Sequence, residues 1–473
     1  MINLKSDKNQ KTNETRLVQI LFYTFPLWFI VGNLAVSINT LLFIIVSLFV
    51  IQRKQLTFRF NNSCWLLIAF FLYFFLSTTI QYLSPGYLNE RMQVLNPSLE
   101  NNPIFKSFLL IRFIILIFVI DTLFINKILN LKKLFLSSLL CTSFVSFDII
   151  VQYITGFDLF GLKKSDHDPI HNSGPFGDER IASTYLKNFS FFSFFYIFTT
   201  YKNKNFSKPL LIFIIIFHLL AMLLAGNRMP VLLFLFGCVL IIFFIRNLRI
   251  VMSLSLIIFM SIFFLLIKND KNYYQAYGGF LSDINIIKLI KSNKDITNKQ
   301  TGEKKAVNDD TQDIPRSVIF LRHSGYNRIY HTAITMWKEQ PLTGFGFKSF
   351  RIKCWDMLTK DNTERKITKR PQYIVCSNHA HNYYLELLSE AGIVGTTLMI
   401  IFFLILLKDS FNYLRKYYQQ KNPEMILLIP VIILLFLEIW PLKSTGSFFT
   451  TWGATFFWLN VSMLVAAKTK KSS

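Results

Sequence analysis

Apolar runs of 16 to 23 residues recur from one end of this chain to the other, broken by polar turns. No other feature restricts its fold so tightly. A helix needs about 20 apolar residues to cross a hydrocarbon core roughly 30 Å thick, and a soluble core cannot absorb so many such runs. The expected fold class is an all-α polytopic membrane protein of about 12 transmembrane helices with one large, partly helical outer loop. The spans fall near 17–34, 36–51, 64–80, 107–125, 134–155, 181–200, 209–225, 229–246, 250–267, 383–407, 425–440 and 447–467. Helices 1–9 thus occupy 1–267, the loop 268–382, and helices 10–12 with a tail 383–473.

A formal net charge of +24 would suit a nucleic-acid binder, but its distribution argues against one. Basic residues crowd alternate short loops, the pattern of cytoplasmic anchoring beside anionic lipid. With the N-terminus inside, the inner segments carry 22 basic residues. The short outer loops carry seven: Arg91, Lys106, Lys163, Lys164, Arg180, Arg228 and Lys443. Both termini are therefore expected in the cytoplasm. Lys5, Lys8, Lys11 and Arg16 precede the first run as in a signal peptide. No small-x-small cleavage site follows and a second run begins at once, so the first run reads as an uncleaved anchor.

The outer loop changes character midway. Its first half, through Lys299–Asp313, is polar, poor in aromatics and expected to be mobile. In the second half, Asn327–Glu339 places Ile329, Ala333, Met336 and Trp337 at helical spacing. The turn-rich Gln340-Pro-Leu-Thr-Gly-Phe-Gly-Phe-Lys-Ser-Phe350 follows. The loop ends in Cys376-Ser-Asn-His-Ala-His-Asn-Tyr-Tyr-Leu-Glu-Leu-Leu-Ser-Glu-Ala-Gly-Ile-Val-Gly395, which carries His379 and His381 from water into a long apolar helix. Titratable side chains at a bilayer surface are suited to the head group of a lipid-linked substrate.

His381, Asn382, Leu385, Leu388, Glu390, Gly392 and Gly395 resemble the signature of the O-antigen ligase and polymerase family. The Pro341–Phe350 element, behind an amphipathic helix, is a second match in the family's order. Ser173–Asp178, Gly226–Pro230 and Trp440–Gly446 resemble three shorter family features. The resemblance implies a GT-C-like glycosyltransferase working at the periplasmic face of a bacterial inner membrane, inverting and without cofactor. Its donor would be a glycan on undecaprenyl pyrophosphate, and its acceptor a hydroxyl of lipid A-core or of another lipid-linked glycan. A polysaccharide polymerase adding lipid-linked repeat units and a protein-directed transferase share the scaffold, but one long loop between spans nine and ten suits a ligase. A flippase would need no folded outer loop ending in a His motif, and would be expected to show paired inverted repeats.

Each candidate residue has a plain reading beside the functional one. Arg228 is an outer-surface Arg whose stem can snorkel along lipid, yet a guanidinium grips phosphate oxygens with a fixed fork. The resemblance places an essential Arg in this turn. The resemblance also makes His381 catalytic, and a neutral imidazole is a suitable acceptor for a hydroxyl proton. His379 would support it. Arg322 and Arg328, in the folded half of the loop, are candidates to hold substrate, as are Arg112 and Lys187, one or two turns inside spans four and six. Asp148 offers Arg112 a structural pairing instead, since intramembrane charge is costly unless paired. Glu390, Gly392 and Gly395 read as architectural. No His-x-x-x-His or Cys-x-x-Cys spacing suggests a metal, and Asp309, Asp310 and Asp313 read as a solvated linker.

Cys64, Cys141 and Cys238 fall within spans, whereas Cys354 and Cys376 share the outer loop, an oxidising compartment. A disulfide between the latter is expected. It would close a basic, apolar-poor segment, be worth on the order of 3 kcal/mol in loop entropy, and tether the chain ahead of His381.

Overall fold

The computed structural model describes residues 13–57, 63–84, 102–164, 170–278, 326–368, 374–420 and 423–469. Arg322 and the Asp309, Asp310 and Asp313 cluster lie outside the described residues. Lipid offers backbone amides and carbonyls no partner, so each apolar run satisfies its own as a helix. Regular structure among the described residues is accordingly helical, with one isolated bridge between Phe157 and Lys163.

In chain order the helices are α1 (Asn13–Tyr23), α2 (Phe25–Val31), α3 (Asn33–Arg53) and α4 (Ser63–Leu83). A short helix, Pro103–Phe108, leads into α5 (Ile111–Ile125), followed by α6 (Leu131–Thr155), α7 (Ala182–Thr200) and α8 (Ser207–Leu224). Then come α9 (Arg228–Phe244), α10 (Arg249–Asn269), α11 (Asn327–Glu339) and α12 (Phe350–Thr368). The chain closes with α13 (Tyr383–Gln420), α14 (Ile429–Glu438) and α15 (Thr451–Thr469). Seven helical stretches are long and apolar enough to cross a membrane, and Arg228–Phe244, Met425–Glu438 and Thr451–Ala466 are shorter apolar helices. Every expected span falls on a helix, but the first is divided: Thr24 separates α1 from α2, and Gly32, at φ 123°, separates α2 from α3.

The surface is apolar where a soluble protein would be polar. Ile250 is 82% exposed and Leu34 74%, a disposition that suits lipid contact rather than water. Inside the bundle, some buried polar groups pair with one another. His218 sits between Thr142 Oγ1 at 3.1 Å and Ser146 Oγ at 2.8 Å. Neighbouring helices α6, α7 and α8 pack together, while α15 returns against α5 and α13 lies along α4. These pairings bring the loop helices α11 and α12 over the start of α13.

Candidate active site at the entry to α13

Two motifs far apart in sequence form one joint. α13 is interrupted at Gly392, whose φ of 64° and ψ of −171° are not helical. Pro341–Phe350 docks into this break. Ile393 N donates to Pro341 O at 2.8 Å, Gly346 N to Glu390 O at 2.8 Å and Phe345 N to Ser389 O at 3.2 Å. The buried Glu390 carboxylate accepts from Lys348 N at 2.9 Å and Phe350 N at 3.3 Å. A Cβ on Gly392 would stand 2.3 Å from Leu342 O, and one on Gly344 2.5 Å from Glu390 C, so only glycine permits the approach. α4 clamps the far side: Tyr73 Oη donates to Ala391 O at 3.0 Å, and Thr78 Oγ1 accepts from Phe347 N at 3.0 Å.

The segment from Glu438 to Phe448 fixes the first turn of α13. Asn382 caps the helix, its Oδ1 accepting from Tyr384 N at 3.0 Å, while its Nδ2 donates to Pro441 O at 2.8 Å. Thr445 N donates to His381 O at 2.9 Å, and Phe448 N donates to the buried Glu386 carboxylate at 2.7 Å. Below them a buried carboxylate holds two lysines: Glu438 pairs with Lys187 and, at 2.9 Å, with Lys443. Lys187, a candidate for substrate phosphate, is therefore committed to Glu438. Arg112 lies over the Phe113 ring at 4.9 Å, with Nε buried and unpartnered among the described residues. Asp148 does not supply its partner, since Oδ1 accepts from Leu159 N at 2.7 Å.

His381 sits on this frame in a left-handed conformation, φ 54°, which non-glycine residues adopt at a cost and which clusters at functional sites. Its ring is hemmed in. Ser377 Oγ lies 3.1 Å from Nε2, and the His379 and Tyr326 rings lie 4.1 Å and 4.7 Å from it between centroids. Burial disfavours the imidazolium at His381, holding its pKa below the usual 6.5. Burial and the neighbouring His381 hold His379 down further, to about 4. His379 Nε2 is buried with no partner among the described residues.

The expected helix over Asn327–Glu339 occupies those residues as α11, burying Ile329, Ala333 and Met336, while Trp337 Nε1 reaches Pro341 O at 3.1 Å. Arg328 is half-buried on α11, two residues after Tyr326. Cys354 and Cys376 are joined, with Cα atoms 5.4 Å apart, tying α12 to the strip that carries both histidines.

Two cations here escaped the reading of the sequence. Lys348 and Arg351 flank Ser349–Phe350, and Lys106 lies within hydrogen-bonding reach of Lys348. Burial, Lys106 and Arg351 together hold Lys348 down to about 8. Arg351 also acts on His379. Their only signal in the sequence was position, Lys348 lying inside the Pro341–Phe350 element and Arg351 directly after it.

Arg228 starts α9 in a second cluster. Gly226, at φ 79°, lets the turn approach Ile170, and Asn172 Nδ2 donates to Leu224 O at 2.6 Å. Tyr277 Oη donates to Leu223 O at 3.2 Å; burial pushes its phenol up, with the Arg228 guanidinium opposing. Ser173–Asp178 belongs to this cluster through Gly174 N, which donates to Gln152 Oε1 at 2.9 Å. Trp440–Gly446 links the clusters. Its Trp440 packs on Phe236 of α9 at 4.9 Å between centroids, and the same turn holds His381 and Asn382.

The fold and this site define a class: an all-helical, polytopic membrane protein with a half-buried imidazole pair at the mouth of a spanning helix. Residues 211–400 match the family model described as O-antigen ligase. The match takes in Arg228, the docked Pro341–Phe350 element and the His motif. A comparison with curated proteins finds no match.

Proposed function

We propose that this protein is a membrane glycosyltransferase that moves a glycan from undecaprenyl pyrophosphate to a hydroxyl of lipid A-core. The family match supports an O-antigen ligase or polymerase type of function. The observation that carries the reading is the imidazole pair of His379 and His381, 4.1 Å apart between centroids and held by the interlocked motifs beside Lys348 and Arg351 where α13 begins.

In this reading His381 Nε2–H donates to Ser377 Oγ, leaving Nδ1 to accept the acceptor's hydroxyl proton. The freed oxygen attacks the anomeric carbon on the face opposite the pyrophosphate. The carbon–oxygen bond to phosphate breaks, and the sugar is inverted. Pyrophosphate departs on its lipid with the bonding electrons and needs cations rather than a proton or a metal. Arg228, Lys348 and Arg351 supply that charge, with Arg328 and His379 at the sugar side. Arg228 lies eight residues outward of Phe236, about 12 Å of helical rise, while Trp440–Gly446 spans from Phe236 to His381. One extended pyrophosphate-linked substrate would meet both. The site faces the periplasm, and both termini lie in the cytoplasm.

Deleting the gene and running lipopolysaccharide on a gel tests the reading. Bare core, with lipid-linked polymer accumulating, is expected, and neither His381→Ala nor Arg228→Ala restores it despite normal membrane insertion. Core capped by a single repeat would assign a polymerase instead. Unchanged lipopolysaccharide would remove ligation altogether.

A further inference from the structure

A cavity of about 1320 Å³ opens at the end of α13 remote from His381. It lies among the turn after α5, the C-terminal ends of α7, α9 and α13, and residues 425–428. From the break at Gly392 to Tyr413 α13 rises about 32 Å, the thickness of a hydrocarbon core of roughly 30 Å. The cavity therefore meets the opposite membrane face from the imidazole pair. Its lining among the described residues includes Lys127, Lys132, Lys202 and Arg246 and no carboxylate. These four cations are exposed at the mouth, whereas Leu129, Ile245, Ile426, Leu428 and Met463 are buried in the floor. A cationic rim over an apolar floor matches a molecule with a phosphate at one end and hydrocarbon at the other.

We propose that this cavity binds an anionic glycerophospholipid of the leaflet opposite the His motif. The phosphate sits among the four cations, and an acyl chain lies along the floor. Charge complementarity selects an anionic over a zwitterionic headgroup, and the floor selects a lipid over a soluble phosphate. The inference rests on this cavity alone and is independent of the transfer reaction.

The test uses the purified full-length protein in a neutral detergent, with its thermal midpoint followed against added phosphatidylglycerol, phosphatidylcholine or glycerol 3-phosphate. Phosphatidylglycerol should raise the midpoint, and the other two should not. A basic side chain beside anionic lipid is worth roughly fivefold in binding, so Lys132→Gln with Lys202→Gln should demand roughly 25-fold more phosphatidylglycerol for the same rise. Equal stabilisation by phosphatidylcholine or by glycerol 3-phosphate, or an unaltered dose response in the double variant, overturns the proposal. Should that variant fail to fold, native mass spectrometry of the unaltered protein decides. Retained phosphatidylglycerol in preference to phosphatidylcholine supports the site, and equal retention refutes it.

Discussion

Replacing Gly392 by Ala should unpick the joint between α13 and the Pro341–Phe350 element. In an ordinary helix this exchange is favourable by about 1 kcal/mol, because alanine loses less backbone entropy. Here the sign reverses. A side chain at φ 64° and ψ −171° costs about 1–3 kcal/mol, and its Cβ would sit 2.3 Å from Leu342 O and 2.6 Å from Gly344 N. Relief requires Pro341–Gly344 to retreat, loosening the bonds from Ile393 N and Val394 N, each worth about 1 kcal/mol. The total is on the order of 3–5 kcal/mol. Thermal unfolding of the solubilised protein, followed by tryptophan fluorescence, would measure it. Gly446→Ala is the control, since a Cβ there meets nothing within 4 Å. If Gly392→Ala unfolds at the same temperature as the Gly446 variant and the unaltered protein, the docking described here is not what holds this entry together.

Glu438→Gln should be comparably damaging, costing about 3–5 kcal/mol, because it leaves Lys187 and Lys443 buried without their counter-charge; the check is thermal stability after solubilisation. A low pKa at His381 keeps its base form to lower pH, so the acid limb of the transfer rate should lie below pH 6.5, and a limb above that value would contradict the burial argument. His379 binds its proton more readily unfolded, near 6.5, than folded, about 4, so it withdraws stability as pH falls through that window. His379→Asn should flatten that dependence by on the order of 1–3 kcal/mol. Arg228→Lys keeps a charge but loses the guanidinium fork, and the transfer rate should fall on the order of tenfold or more. Thiol labelling of intact membranes should find Cys354 and Cys376 unreactive until reduced.

The spans were legible because lipid makes secondary structure a local matter. A run such as Asn33–Arg53 must close its own hydrogen bonds within itself, so its hydropathy alone marks it as a helix. The amphipathic α11 was legible for a similar reason, its buried positions recurring at helical spacing. The order of the motifs pointed to His381, but not to what surrounds it. Lys187 stands 251 residues from Glu438, and Lys348 N lies 42 from the Glu390 carboxylate that receives it. Tyr326 closes on His381 from across the loop helices. No local pattern encodes such partners, because their pairing follows from which helices pack side by side. Sequence by itself determined where the apolar spans and α11 are helical, and which stretch leads into α13 with two histidines, but not the helix α12 over a basic, apolar-poor segment. Tertiary packing alone decided that Gly392 breaks its helix to seat Pro341–Phe350, that Glu438 engages Lys187, and that Ser377, His379 and Tyr326 close around the His381 imidazole.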